Sequence, residues 1–450
     1  MLDVAIVGGG PVGLALAGLL AQQGAEVQVL GARAAPDPRP RASHVHGAVL
    51  EGLRPLGCTE ALLARGRPSD GARLVEDGRL VTEVRTRDLP VRIPFSLALP
   101  QPELEEALEA AATAAGARVR RGVRVVGVSP PSVTLEAGPP LDARFIVGCD
   151  GAESVVREAM GTRLRGITRD GLSLADVRVT STLSAAELHT QASGLAIRLP
   201  LRDGERWVAE CPPEALTATF ARLVPDAPMP DEVLWASPFR VHARWAPVWR
   251  RGPVLLAGDA AHLHSPVGGH GMNTGLLDAM DLAWKLSMVL QGRADDRLLD
   301  SYARTRRRAA RWSVAGAWAA TVGLRMRPAP LRWLRGAVAS RVPQGWAAAW
   351  AIGWDVRAPA IERARGGASR AGSRALDVRL GAGWMLDEVR GLTLLGDGDG
   401  PAWLARRPLP DGHPFGDARS VLLRPDGFVA YRGPAAGAAD AVDRVLGGLA

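Results

Sequence analysis

The stretch from Gly258 to Leu286, GDAAHLHSPVGGHGMNTGLLDAMDLAWKL, constrains the fold more than any other part of this chain. It follows the apolar run Val254-Leu255-Leu256-Ala257, which reads as a buried strand. An acid at a strand end, a Pro/Gly-rich loop and an amphipathic helix then come in order. Asp259, next to Gly258, can accept hydrogen bonds from sugar-like hydroxyls. The loop Pro266-Val267-Gly268-Gly269-His270-Gly271 lets backbone approach a flat ligand, because glycine has no side chain in the way. The helix opening near Met272 and Asn273 aims unpaired amides and a positive dipole end at whatever sits there.

The N-terminus carries a complementary device. Asp3-Val4-Ala5-Ile6-Val7 is a short apolar strand, Gly8-Gly9-Gly10-Pro11-Val12-Gly13 has G-x-G-x-x-G spacing, and Leu14 to Gln23 continues as an Ala/Leu-rich helix. Gly8 permits the tight turn, Gly10 lets backbone approach a pyrophosphate, and Gly13 lets helix pack on strand. The second strand, Glu26 to Leu30, is expected to end in an acid that binds a ribose, about 20 residues past the glycines. The chain has Gly31 there, with Arg33 and Asp37 nearby but out of register. Either other contacts hold the ribose, or the dinucleotide role has been lost.

Together these segments resemble the FAD motifs of the single-component (class A) flavoprotein monooxygenases, the family of the para-hydroxybenzoate and aromatic polyketide hydroxylases. Pro40-Arg41-Ala42, Leu99-Pro100-Gln101-Pro102-Glu103-Leu104 and Phe145-Ile146-Val147-Gly148-Cys149-Asp150-Gly151 follow in the family's order. The resemblance implies that Arg41 lies near the pyrophosphate and flavin, Gln101 against the ribityl chain, and Asp150 near both FAD and a passing nicotinamide nucleotide. It implies an α/β fold with a Rossmann-like (GR2-type) FAD-binding domain in residues 1–79, 100–172 and 251–365. An inserted β-sheet substrate domain is expected in 80–99 and 173–250, and a thioredoxin-like C-terminal domain in 370–450. The run Val421 to Arg432 resembles the hairpin that closes such a tail, and Gly366 to Ser369 reads as the linker before it. No cysteine lies beyond Cys211, so the tail has no dithiol chemistry.

Strand-like pieces at Leu174–Thr180, Leu195–Leu199, Arg206–Ala209 and Leu234–Phe239, with Leu80–Leu99, are expected to roof the flavin. Trp235, Phe239, Trp245 and Trp249 are candidates for a flat aromatic substrate's pocket, although ordinary packing explains any one of them. His262 and His264 lack a carboxylate at ligand spacing, so no metal site is expected. His270 stands where relatives carry glutamine. With Pro266 it is a candidate near the flavin, but no catalytic residue is assigned.

By resemblance the chemistry is NAD(P)H-driven hydroxylation of a polycyclic, polyketide-type aromatic through a flavin hydroperoxide, with FAD resident, NADPH transient and dioxygen consumed. Baeyer–Villiger or epoxidising outcomes use the same scaffold. A non-redox paralogue with structural or weakened FAD is the rival reading. A halogenase is excluded, since the only lysine, Lys285, lies inside the FAD helix.

Composition sets the limits. A chain of 450 residues, 47% of them hydrophobic, supports two or three domains. Cys58, Cys149 and Cys211 are widely spaced, which suggests no disulfide framework and fits a cytoplasmic protein. The net charge of +8 is almost wholly arginine. No nucleic-acid fold motif accompanies Arg304 to Arg311, so no nucleic-acid partner is expected. Ser313–Leu324 is too short to span a bilayer, so no membrane partner is expected either. A monomer or homodimer is anticipated.

Overall fold

The computed structural model describes residues 1–351 except Pro40 and Pro90, together with Gly353, 379–380, 383–384, 392–399, 401–402, 404–409, 418–426 and 429–446. Along the chain run β1 (Leu2–Val7), α1 (Pro11–Ala21), β2 (Val27–Gly31), α2 (Gln101–Ala114), β3 (Arg118–Arg121), β4 (Leu141–Gly148), β5 (Arg165–Arg178), β6 (Glu232–Trp245), β7 (Val254–Leu256), α3 (His270–Leu290) and α4 (Arg297–Leu324).

The first sheet has the order 250–251, β7, β4, β1, β2, β3, and every pairing from β7 to β3 is parallel. Central parallel strands are covered on both faces, which is why β1 and β7 are apolar runs rather than alternating ones. Pro11 stands in the first turn of α1, where a missing N–H costs nothing. The α1 helix then packs against α2 and α3. Gly18 makes that approach possible: a Cβ there would lie 2.8 Å from a methyl of Leu56 and 3.3 Å from the Ala112 backbone.

The second sheet runs 262–263, β6, β5, 204–209, 194–201, 186–191, 71–76, 79–85. It departs from the expected boundaries in three ways. It takes in Gly71–Glu76, nine residues before Leu80. Asp77 (φ 48°) and Gly78 (φ 77°) supply the two left-handed residues of a two-residue hairpin turn, a D-G signal legible in the sequence. It also takes in Arg165–Leu172 ahead of Ser173, because the first half of β5 is polar and exposed and shows no apolar pattern. Finally, Ser96–Ala98 does not join it. That strand pairs with His44–His46 and Arg67–Ser69 in a separate three-stranded sheet.

In the tail a four-stranded sheet, 405–407, 393–396, 420–423, 429–433, carries the helix Ala438–Leu446. The expected linker at 366–369 and two hairpin residues, Gly427 and Phe428, lie outside the described residues. Leu394, Leu422, Tyr431 and Val442 share one apolar cluster with Trp284 and Met288 of α3. Arg424 donates to both Asp281 and Asp426, and Lys285 Nζ donates to Asp281 at 2.9 Å. Among the described residues no helix is long and apolar enough to cross a membrane.

Candidate functional site: a dinucleotide cradle opening into an apolar chamber

A cavity of about 1630 Å³ runs from the β1–α1 turn to the second sheet. Pockets for drug-sized ligands occupy about 300–1,000 Å³, so this one has room for a dinucleotide and a second flat molecule.

One end is made of backbone. Gly8 has φ +118°, and a Cβ on it would stand 2.2 Å from the Cys149 carbonyl oxygen. A Cβ on Gly13 would stand 2.1 Å from the Gly8 carbonyl oxygen, so strand and helix touch there. Gly10 is different: a Cβ would meet nothing within 4 Å, because its face is open cavity. Arg41 lines this end, its guanidinium 3.1 Å from Asp37. Asp37 is buried, takes a side-chain hydrogen bond from Arg39 and sits beside Arg33 and Arg41. Those cations outweigh burial and hold its pKa at about 2. Gln101 accepts from the Ala42 amide at 3.2 Å and donates to Glu105 at 2.7 Å, fixing α2 against the loop that carries Arg41.

The middle of the cavity is carboxylates and loop. Asp150 accepts from Ser154 Oγ at 2.5 Å and from the Val156 amide at 3.2 Å, and burial raises its pKa. Asp259 faces the cavity with no hydrogen-bond or ion-pair partner among the described residues. Its side chain is exposed into the cavity, and the desolvation imposed by the surrounding protein raises its pKa against the pull of His262 and Arg41. The turn that carries it is set from behind by Asp278, a buried acceptor for the Gly258 amide (3.1 Å), His262 Nε2 (2.7 Å) and Arg306 Nε (2.8 Å). Trp249 stacks on the His262 ring at 5.4 Å. His262 is thus structural.

Pro266, Gly269, Gly271 and Met272 line the cavity, but His270 does not. Successive residues of a helix turn by roughly 100°, so His270 faces away from the side that Met272 presents. Its ring lies edge-on to His46 (5.1 Å between centroids) and against Trp350 (4.2 Å). The Asn273 side chain is also turned inward, donating to the carbonyls of His44 (3.0 Å) and Gly269 (2.8 Å) and accepting from the His46 amide (2.8 Å). It braces the loop rather than facing the cavity. Gly258, φ +63°, plays a similar backbone part.

The far end is side chains. Leu74, Val84, Leu174, Ile197, Val208 and Phe239 project from the second sheet. Ala319, Ala320 and Leu324, from the apolar run Ser313–Leu324, close the opposite side with Leu334 and Val338. Of the candidate aromatics only Phe239 lines the chamber. Trp235 packs against the same apolar cluster as Phe239 without lining the cavity, and Trp245 lies under the Arg311 guanidinium, 5.3 Å from its ring. Four residues of strand span about 13 Å, so a cluster along one strand is not a cluster in space.

Two further residues hold the site together. Arg206 is buried in a bidentate pair with Asp176 and donates to the Arg41 carbonyl at 3.0 Å, tying the second sheet to the cradle. The signal was an opposite charge in the apolar stretch of each of two strands, costly when buried unless paired. Arg157 donates to the carbonyls of Ala260 (3.0 Å) and Ala152 (2.7 Å) and so joins the two carboxylate-bearing turns.

A glycine turn under a helix start, a cavity-facing carboxylate at its side and an apolar chamber beyond have the layout of a dinucleotide-binding domain joined to a side-chain-lined chamber. Family comparison agrees: residues 1–317 match the FAD binding domain family, and the chain belongs to it. The 6-methylpretetramide 4-monooxygenase of Streptomyces rimosus is 36% identical over 68% of this chain and 59% of that enzyme, so the chain matches well under two thirds of its length. The dialkyldecalin synthase of Streptomyces rugosporus is 31% identical over 99% of this chain and 98% of that one. Among solved structures, an anhydrotetracycline hydroxylase from Streptomyces rimosus superposes with a TM-score of 0.81, at 28% identity, over 99% of both chains.

Proposed function

We propose that this chain is an FAD-dependent monooxygenase that takes electrons from NADPH and hydroxylates a polycyclic aromatic substrate of polyketide type. The observation that carries the reading is the unbroken cavity joining a dinucleotide cradle to an apolar chamber large enough for a fused-ring molecule. The name of the pretetramide relative supports the substrate class. Bound flavin, once reduced, supplies the oxygen-activating chemistry. The chain supplies position and dryness.

In this reading Gly8, Gly10 and Gly13 admit the pyrophosphate, and Asp259, Gln101 and Arg41 hold the ribityl and phosphate region. Gly269, Gly271 and Met272 border the flavin ring, with Asp150 beside it. Phe239 and its apolar neighbours exclude water from the substrate, so a reactive oxygen species is not lost to solvent. No side chain of this chamber is assigned as a general base, because an electron-rich phenol supplies its own activation. Residues 370–450 serve packing or assembly, as a monomer or homodimer in the cytoplasm.

Purified protein is expected to be yellow, to release about one FAD per chain on denaturation, and to be bleached by NADPH, faster with substrate present. Colourless protein that FAD cannot reconstitute overturns the reading. A second reading has one specific support, the end-to-end likeness to the dialkyldecalin synthase: a non-redox enzyme that keeps FAD as a structural part. Yellow protein that NADPH never bleaches, with or without an aromatic substrate, would favour it.

A further inference from the structure

The acid expected at the end of β2 is absent, and a cation occupies its neighbourhood. Strands β2 and β3 are parallel, and their register pairs Gly31 with Arg121. Register partners send side chains to the same face of a sheet, so the missing side chain at Gly31 leaves that face to Arg121. Its Nη1 donates to the Gly9 carbonyl at 3.0 Å, and its Nε donates to Glu109 at 3.0 Å. Its Nη2 donates to the same carboxylate. Arg121 Nη1 and Gly31 Cα each lie 3.3 Å from the point a Cβ on Gly9 would occupy. A guanidinium has five N–H donors. Three are engaged here, and Arg121 lines the cavity beside Gly9, Gly10 and Gly31.

We propose that Arg121 is the adenosine anchor of this chain, donating to ribose hydroxyl oxygens from beside the position where an acid would accept from them. A hydroxyl serves as donor or acceptor, so reversing the polarity keeps a charge-assisted hydrogen bond. Glu109 holds the planar fork from behind, so little side-chain freedom remains to be lost on binding. Gly31 is then not a simple loss: it makes the room that Arg121 uses. No positive φ is needed at Gly31, and a Cβ there would find its nearest neighbour at 3.6 Å, so steric need alone does not explain the glycine.

The inference rests on FAD being the resident cofactor, and its test separates the two. Apoprotein is titrated, by quenching of flavin fluorescence, with FAD and with an FAD analogue carrying 2′,3′-dideoxyadenosine. The wild type is expected to bind the analogue at least about tenfold more weakly. Arg121→Gln is expected to bind FAD about tenfold to a hundredfold more weakly and to lose that discrimination. Gly31→Glu is expected to restore FAD binding in the Arg121→Gln background but not to tighten it in the wild type, where the new carboxylate pairs with Arg121. Thermal melting reports folding, and Arg121→Lys, which keeps charge without the fork, is expected to fall between. Undiminished discrimination in folded Arg121→Gln or Arg121→Lys, or tighter binding in Gly31→Glu alone, overturns the proposal. A wild-type chain that binds neither flavin overturns the cofactor reading instead.

Discussion

The two walls of the cavity are built on opposite plans. The cradle wall presents backbone: glycines at Gly8 and Gly10, a loop from Pro266 to Met272, and carboxylates at Asp150 and Asp259 carried on turns that buried polar groups hold in place. The chamber wall presents side chains from a sheet, and its shape depends on which residues of β5, β6 and the strands between them happen to face inward. A backbone wall tolerates almost no substitution, because a Cβ added at a touching glycine meets main chain that cannot move aside. A side-chain wall tolerates many, since hydrophobic swaps of similar volume usually cost under about 1.5 kcal/mol. The invariant chemistry of the cofactor suits the first plan. The second suits a substrate that differs from one relative to the next.

The sharpest way to break this comparison is to add one methyl group to the cradle. Gly13→Ala places a Cβ 2.1 Å from the Gly8 carbonyl oxygen, so either α1 or the turn must shift. The expected cost is about 3 kcal/mol, with flavin content falling far below that of the wild type. Denaturant unfolding and the absorbance of the purified protein measure the two effects. Wild-type stability and full flavin content in Gly13→Ala would mean that the cradle is as forgiving as the chamber.

The same contrast explains what was legible in the sequence. Glycine spacing, an acid at a strand end and a helix start are local devices, so β1, α1, β4, β7 and α3 were readable as elements. The missed features are relations between distant segments. Asp278 collects Gly258 and His262 from one turn and Arg306 from α4, and nothing local announces such a hub. The pairing of Gly31 with Arg121 needs the register of two strands separated by about 90 residues of sequence. His270 and Asn273 were placed on the right helix, but the rotation that turns their side chains from the cavity belongs to the first turn of α3 and its left-handed start at Gly269. Trp235 and Trp245 do not line the cavity, because closeness along a strand is not closeness around a ligand. The Asp77-Gly78 turn was a local signal, and it would have moved the start of the second sheet.

A smaller effect sharpens the comparison by crossing the two walls. Asp259→Ala removes a carboxylate that faces the cavity without a partner and is expected to weaken FAD by about 1–3 kcal/mol, the usual cost of leaving buried donors unpaired. It should leave the KM for an aromatic substrate, measured at saturating FAD, nearly unchanged. Phe239→Ala is expected to do the reverse, raising KM by about 1–3 kcal/mol of lost apolar burial while FAD titrates as in the wild type. Equal effects of either variant on both ligands would show that the cavity is a single undivided site.

The smallest expected effect concerns acid. Asp37 organises Arg33, Arg39 and Arg41 at the cradle's rim, and its pKa is depressed to about 2. A depressed carboxylate stabilises the folded state fully above its unfolded pKa, near 3.9, and that contribution is lost as pH falls through about 2. The side chains of its three partners are more than half exposed, so water screens the attraction and the contribution shrinks to about 1 kcal/mol. Asp37→Asn should therefore be slightly less stable than the wild type at pH 6, and the gap should narrow from pH 4 downward. Flavin affinity should change little at pH 6, because Arg41 remains in place to meet a phosphate. Denaturant midpoints of the two proteins, compared across that range, test the sign directly. A gap that widens on acidification would mean that Asp37 is protonated in the folded protein, and the rim would then be held by something other than this ion cluster.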